Sequence, residues 1–272
     1  RVRSSAASDV YKRQEYNGIL YSYDIGTIIR FDRTNKDTET AAGNPTLYGR
    51  FETAVDYAGS QGAAVYTGLQ CYNQTDGAQR TYYLDEEQTI SLNILYNYYY
   101  EHDSSDENNY SVCFLLTQEL ENGEENNYLF TGDLEAEGEE YLVEYNELPE
   151  VELFKAGHHG SPTSSNDVLL SVIKPKNVAV CCCAGSDEYT DNNANQFPSQ
   201  AFVTRVSKYT ENVYVTTMVS DNEDGFTSMN GDIVFYYNKA EGEDEGSLKL
   251  WCSNNTKKLK DTEWFAANRV WG

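Results

Sequence analysis

Two of the chain's three histidines are adjacent, His158-His159, where an apolar strand-like run, Val151–Ala156, gives way to Gly157 and, beyond the pair, Gly160-Ser161. The other sharp feature is Thr131-Gly132-Asp133, an acid at the end of a second apolar run, Asn127–Thr131. Polar residues gathered where the strands of an α/β sheet end are the usual place for a site. Neutral imidazole nitrogen and carboxylate oxygen are natural ligands for zinc or manganese, and flanking glycines let the backbone approach closely. Asp133 and the His158-His159 pair therefore read as metal ligands or as catalytic groups. One Asp and one His do not complete a catalytic zinc, which takes three protein ligands and a water. The same residues also fit plainer roles, Asp133 as the cap of a helix starting near Glu135 and the histidines as polar filling of a turn.

Other reactive residues carry weaker patterns. Ser161 beside the histidines suggests a nucleophile, but there is no G-x-S-x-G elbow and no third partner. Cys181-Cys182-Cys183 alternate across a strand and so do not converge on one ion, and no Cys-x-x-Cys occurs. They read as buried thiols. The run Tyr96–Tyr100 reads as aromatic packing at a strand end, with His102 exposed beside it.

The elements that must position these residues follow from periodicity and punctuation. Strands are expected over Ile25–Phe31, Thr81–Leu84, Thr89–Tyr96, Tyr110–Gln118, Asn127–Thr131 and Val151–Ala156, and over Asn177–Cys183, Val213–Thr217, Asp232–Tyr237 and Ser247–Cys252. Helices are expected over 44–59, 135–146, 166–173, 198–209 and 260–269. In the second of these, Leu142 and Val143 face inward and Glu135, Glu137, Glu139 and Glu140 outward. KAEGEDEG, between the last two strands, reads as a solvated hairpin loop. Meandering strands followed by alternating strands and helices define a mixed sheet flanked by helices, an α/β fold.

Composition narrows the function classes. Among 272 residues, 44 Asp+Glu against 20 Lys+Arg leave a net charge of −24, which disfavours long nucleic acids and polybasic membrane surfaces. At 39% hydrophobic and 13% aromatic the chain has material for a core, so wholesale disorder is excluded. No apolar run is long enough to span a membrane as a helix. The first fourteen residues, RVRSSAASDVYKRQ, hold four of the basic residues and read as an in-frame translation of a sequencing adapter, to be set aside before fold reasoning.

Taken in order, TGDLE, a Glu-rich helix, VELFKAGHHGSPTSS and a helix leading into KPKNVAV resemble the metallo-β-lactamase-fold hydrolases, in particular the group typified by the soluble domain of the competence protein ComEC. NNYSVCFLL (Asn108–Leu116) looks like the strand before that family's TGD turn, and ILYSYDIGTIIRF like the passage after its first metal loop. The resemblance covers most of Glu15–Tyr237. It implies an αββα sandwich, incomplete at its N-terminus, with residues 15–240 as the domain and 241–272 as a C-terminal hairpin strand and helix extension. It implies two divalent ions, zinc or manganese, generating a hydroxide nucleophile from bound water to attack a phosphodiester or other ester, with a small molecule or phosphodiester as substrate. Carried over, Asp133 bridges the ions, His158 or His159 ligates one of them, and the other histidine or Ser161 orients substrate or the ligands. The family's His-x-His-x-Asp-His loop has no counterpart, since no histidine precedes His102; its expected position is just upstream of Glu15. The chain is accordingly expected to bind metal weakly and to show no hydrolysis. Where relatives carry a His-Pro pair, this chain has Phe197-Pro198, which leaves an alternative: a non-catalytic member serving as a binding or structural module.

Overall fold

The computed structural model describes residues 14–16, 19–21, 25–239 and 246–272. The adapter-like stretch, apart from Gln14, and most of KAEGEDEG lie outside the described residues. Strands β1 (Gln14–Tyr16) and β2 (Ile19–Tyr21) pair antiparallel. Strand β3 (Thr27–Arg30) is followed by helix α1 (Leu47–Ser60) and then by β4 (Ala64–Thr67), which runs parallel to β3. Helix α1 starts later than its sequence suggests because Thr46 is the cap: its hydroxyl accepts the Gly49 N–H at 3.0 Å. Strand β4 and the helix after it, α2 (Gly68–Asn73), fall in a stretch that periodicity leaves unassigned. Helix α2 is nevertheless opened by a reciprocal capping box between Thr67 and Gln70, a Thr-x-x-Gln signature present in the sequence.

The main sheet has eight strands in sequential spatial order. Strands β5 (Thr81–Tyr83), β6 (Ile90–Ile94), β7 (Phe114–Glu119) and β8 (Glu125–Phe130) form an antiparallel meander. Helix α3 (Ala136–Tyr145) leads to β9 (Leu153–Lys155), α4 (Asp167–Ile173) to β10 (Asn177–Ala184), and α5 (Gln200–Val206) to β11 (Val213–Val219). Strands β8 to β11 are parallel, and β12 (Phe226–Ser228) closes the edge antiparallel to β11. Successive crossovers of one hand place α3, α4 and α5 on a single face of the sheet. There Leu129, Phe154, Val178, Val180, Val213 and Val215 meet Leu142, Leu169, Leu170, Phe202 and Val206 in the principal core. The opposite face carries Tyr128, Phe130, Leu153 and Lys155. Across a cavity of about 680 Å³ it meets Ile233, Phe235 and Tyr237 of β13 (Ile233–Asn238), the partner of β14 (Ser247–Cys252). The C-terminal helix α6 (Glu263–Asn268) is not a loose appendage, because Phe265 and the preceding Leu259 enter the principal core.

The chain is thus a mixed α/β protein with a large mixed sheet. Among the described residues no helix is long and apolar enough to cross a membrane. Two local expectations are corrected. Glu139 does not face solvent: it is fully buried, and its carboxylate accepts the backbone N–H of Ser165 and Asn166 at the start of α4, at 2.5 and 2.7 Å. The strict alternation expected for Cys181–Cys183 is broken by a bulge, where β10 spends three steps, from Val180 to Cys183, against two of β11. The three thiols are half-buried and free.

Candidate functional site

Parallel register brings the two sequence motifs together. Leu129 lies opposite Phe154 and Phe130 opposite Lys155, so β8 and β9 end side by side and release Thr131-Gly132-Asp133 and Gly157-His158-His159 at the same edge of the sheet. The two turns are joined directly, the His158 N–H donating to the Gly132 carbonyl at 3.1 Å. Gly132 has a φ of +61°, and a Cβ there would stand 2.8 Å from the Ser111 hydroxyl. Only glycine lets the chain turn so tightly that the Asp133 N–H donates to that hydroxyl, at 3.1 Å. His158 and His159 both take left-handed backbone angles, with φ of +43° and +57°. For residues with a Cβ this costs about 1–2 kcal/mol each, strain of a kind that clusters at working sites.

The histidines turn opposite ways. His159 Nδ1 donates to the Cys181 carbonyl at 2.7 Å, which is free because β9 has already ended and β10 bulges there. That bond fixes the proton on Nδ1 and leaves Nε2 on the side of Asp133, 3.8 Å from Oδ1. Burial pushes the His159 pKa below its ordinary value, favouring the neutral ring. His158 Nδ1 instead meets Glu135 Oε1 at 2.8 Å. Burial alone would lower the His158 pKa, but the bond to Glu135 and the charges of Asp133 and Glu135 outweigh it, and the pKa is raised. Glu135 is half-buried, which would raise its pKa, yet its bonds from His158, Thr163 and Asn108 hold its carboxyl below the usual range. The site thus favours the neutral ring at His159, with a lone pair beside a carboxylate, and the protonated ring at His158 beside Glu135.

Ser161 is 1% exposed and does not reach either imidazole ring through a hydrogen bond; its hydroxyl bonds Thr163 Oγ1 at 2.8 Å and accepts the Thr163 N–H at 3.1 Å. Asp133 does not cap α3, whose N-cap is Glu135. His102 is exposed and stacks on Tyr98, with ring centroids 3.8 Å apart. Sequence patterns miss Glu135 and Glu139 as site residues because their charge argues for solvent, although their spacing is that of the inward stripe: Glu135 stands four residues before Glu139 and seven before Leu142, and Glu139 three before Leu142. They also miss Arg205, which donates to the carbonyls of Pro162, Ser164 and Ser165 and so fixes the loop beyond the histidines from α5.

The donor set can be tested for a metal. Zinc binds imidazole nitrogen and carboxylate oxygen at about 2.0–2.2 Å, so two donors of one ion lie within about 4.3 Å of each other. Asp133 Oδ1 and His159 Nε2 meet that limit. Among the described residues no group of three or more His, Cys, Asp or Glu side chains converges on one point. Compared with family models, curated proteins and solved structures, the chain matches none.

Proposed function

We propose that this chain carries part of the active centre of a metal-dependent hydrolase of the metallo-β-lactamase αββα type, acting on a phosphodiester or another small ester. The observation that carries the reading is Asp133 Oδ1 facing His159 Nε2 at 3.8 Å while the other His159 nitrogen is tied to the Cys181 carbonyl. A histidine whose second nitrogen is anchored on a carbonyl has the tautomer and orientation of a metal ligand. Asp133 and His159 would hold the ion, and the further ligands would come from outside the described residues. A divalent ion bound there, zinc or manganese, supplies Lewis acidity and brings the pKa of water close to neutrality. His158, held through Nδ1 by Glu135, orients substrate and carries a proton at Nε2. Ser161 acts at a distance, through Thr163, on the Glu135 carboxylate. Phe197 packs against both imidazoles, its ring 5.7 Å from His158 and 6.2 Å from His159, and keeps water from that side.

The test is calorimetric titration of the chain with Zn²⁺ and Mn²⁺. Weak binding is expected, abolished by Asp133→Asn and by His159→Gln and kept by His158→Gln. Binding indifferent to Asp133 and His159, or no binding at all, would leave the non-catalytic binding module as the better reading. Metal-dependent turnover of an activated phosphodiester by the present chain would show that its ligand inventory is larger than these two residues.

A further inference from the structure

We propose that the C-terminal segment is a strap that fixes Phe197 as a wall over the His158-His159 pair, with Arg269 as the positioning residue. Arg269 is 5% exposed. Its hydrogen bonds go to oxygens of uncharged groups: Nε to Pro198 O at 2.9 Å, Nη2 to Gln196 O at 2.7 Å, and Nη1 to Asn193 Oδ1 at 2.9 Å and Asn268 O at 2.8 Å. Its guanidinium also lies over the Trp264 ring, 5.0 Å from the centroid. Among the described residues no carboxylate forms an ion pair with it; burying a cation in this way is expensive, and the return is geometric. The planar fork grips the carbonyls on both sides of Phe197, a task a lysine point charge cannot reproduce.

A second contact acts on the other side of the same loop. The Gly185 N–H donates to the Phe197 carbonyl at 2.9 Å. Gly185 has a φ of +80°, and a Cβ there would stand 2.6 Å from Trp264 Nε1, so the indole of the C-terminal helix lies directly on this glycine. Asn193 Nδ2 reaches Asn268 Oδ1 at 3.1 Å, and Gln200 exchanges two bonds with the backbone of Val270. From the site side, Ser199 N–H donates to the Gly160 carbonyl at 2.8 Å, so the loop is clamped between the histidine turn and the strap. Phe197 then stacks on His159 with an interplanar angle of 27° and contacts Tyr189, rings 5.4 Å apart. The strap holds the loop whether or not a metal is bound.

The experiment uses the full chain and two readouts that a purely structural role for Arg269 would leave in place. Ring-current shifts of the His158 and His159 carbon-bound protons report whether Phe197 still covers them, with Phe197→Leu setting the uncovered values. Amide exchange of Gly185 reports the loop bond itself, with Val203 in α5 as internal control. In Arg269→Lys the histidine resonances are expected to move towards those of Phe197→Leu and Gly185 to lose protection by about tenfold or more, while Val203 is unchanged. Should Arg269→Lys not fold, Asn193→Ala removes one prong at an exposed position, with the same changes expected at smaller amplitude. Histidine resonances and Gly185 protection at wild-type values in the folded variants, with Phe197→Leu still shifting the histidines, overturn the proposal.

Discussion

Glu139 offers the most exacting test of how the site is held. Its carboxylate is fully buried and accepts three hydrogen bonds, from Ser165 N, Asn166 N and Asn166 Nδ2, the last at 2.9 Å. Removing it as Glu139→Ala strands three donors, each costing about 1–3 kcal/mol, hence about 3–9 kcal/mol in all before the cavity is counted. That is a large part of a typical domain's stability, so Glu139→Gln is the better probe. Burial pushes the Glu139 pKa up to about 7 from 4.5, against the opposing pull of its hydrogen bonds and of Arg205. A carboxyl raised in the folded state contributes stability that is full below pH 4.5 and is lost as pH rises through about 7. At 1.36 kcal/mol per unit, the wild type should lose about 3 kcal/mol across that window through this one group. Glutamine does not titrate, so the stability gap between wild type and Glu139→Gln should narrow by up to that amount between pH 4.5 and 8. Urea unfolding followed by tryptophan fluorescence at intervals of half a pH unit measures it. A gap that stays constant, or widens as pH rises, would falsify the account of Glu139 as a buried group that is protonated at mildly acidic pH.

The remaining expectations concern the parts that orient the histidines. Wild type minus Glu135→Gln stability should form a plateau between pH 4.5 and 6.5, falling below it as Glu135 is protonated and above it as His158 loses its proton, because the two pKa values move apart. A difference flat from pH 4 to 8 in the same urea series would remove the ion pair from the account. Thr216→Val strips the hydroxyl that bonds both the N–H and the carbonyl of Cys182 at the β10 bulge; a loss of about 1–2 kcal/mol is expected, and an unchanged urea midpoint would mean the bulge needs no such support. Zinc titration of Asp133→Asn, His158→Gln and His159→Gln separates the two histidines: only the first and third substitutions should abolish binding.

Much of this arrangement is legible in one dimension. The runs that become β8 and β9 are apolar enough to be buried on the helix face, and Gly132 and Gly157 mark where each must stop. A strand–helix–strand pattern then places Asp133 and the histidines at a common edge, because parallel crossovers return the chain to the same side of the sheet. The strand β4 is harder to read, since Ala64–Thr67 is only four residues and lies directly against α2. Glu139 is misread for a different reason. It sits on the Leu142 and Val143 face of a Glu-rich helix, where charge alone argues for solvent, and the donors that hold this one carboxylate inward are supplied by Ser165 and Asn166, more than twenty residues away.

By itself, then, the sequence determines the mixed α/β class and the juxtaposition of Asp133 with the two histidines. Tertiary structure alone decides that His159 turns to Asp133 while His158 turns to Glu135, because that choice depends on the bared Cys181 carbonyl at the β10 bulge. It alone brings Arg269 and Trp264 to Phe197, across some seventy positions of chain. Periodicity records which face a residue prefers, whereas a hydrogen bond depends on where a distant donor and acceptor finally stand, and only the packed chain fixes both ends.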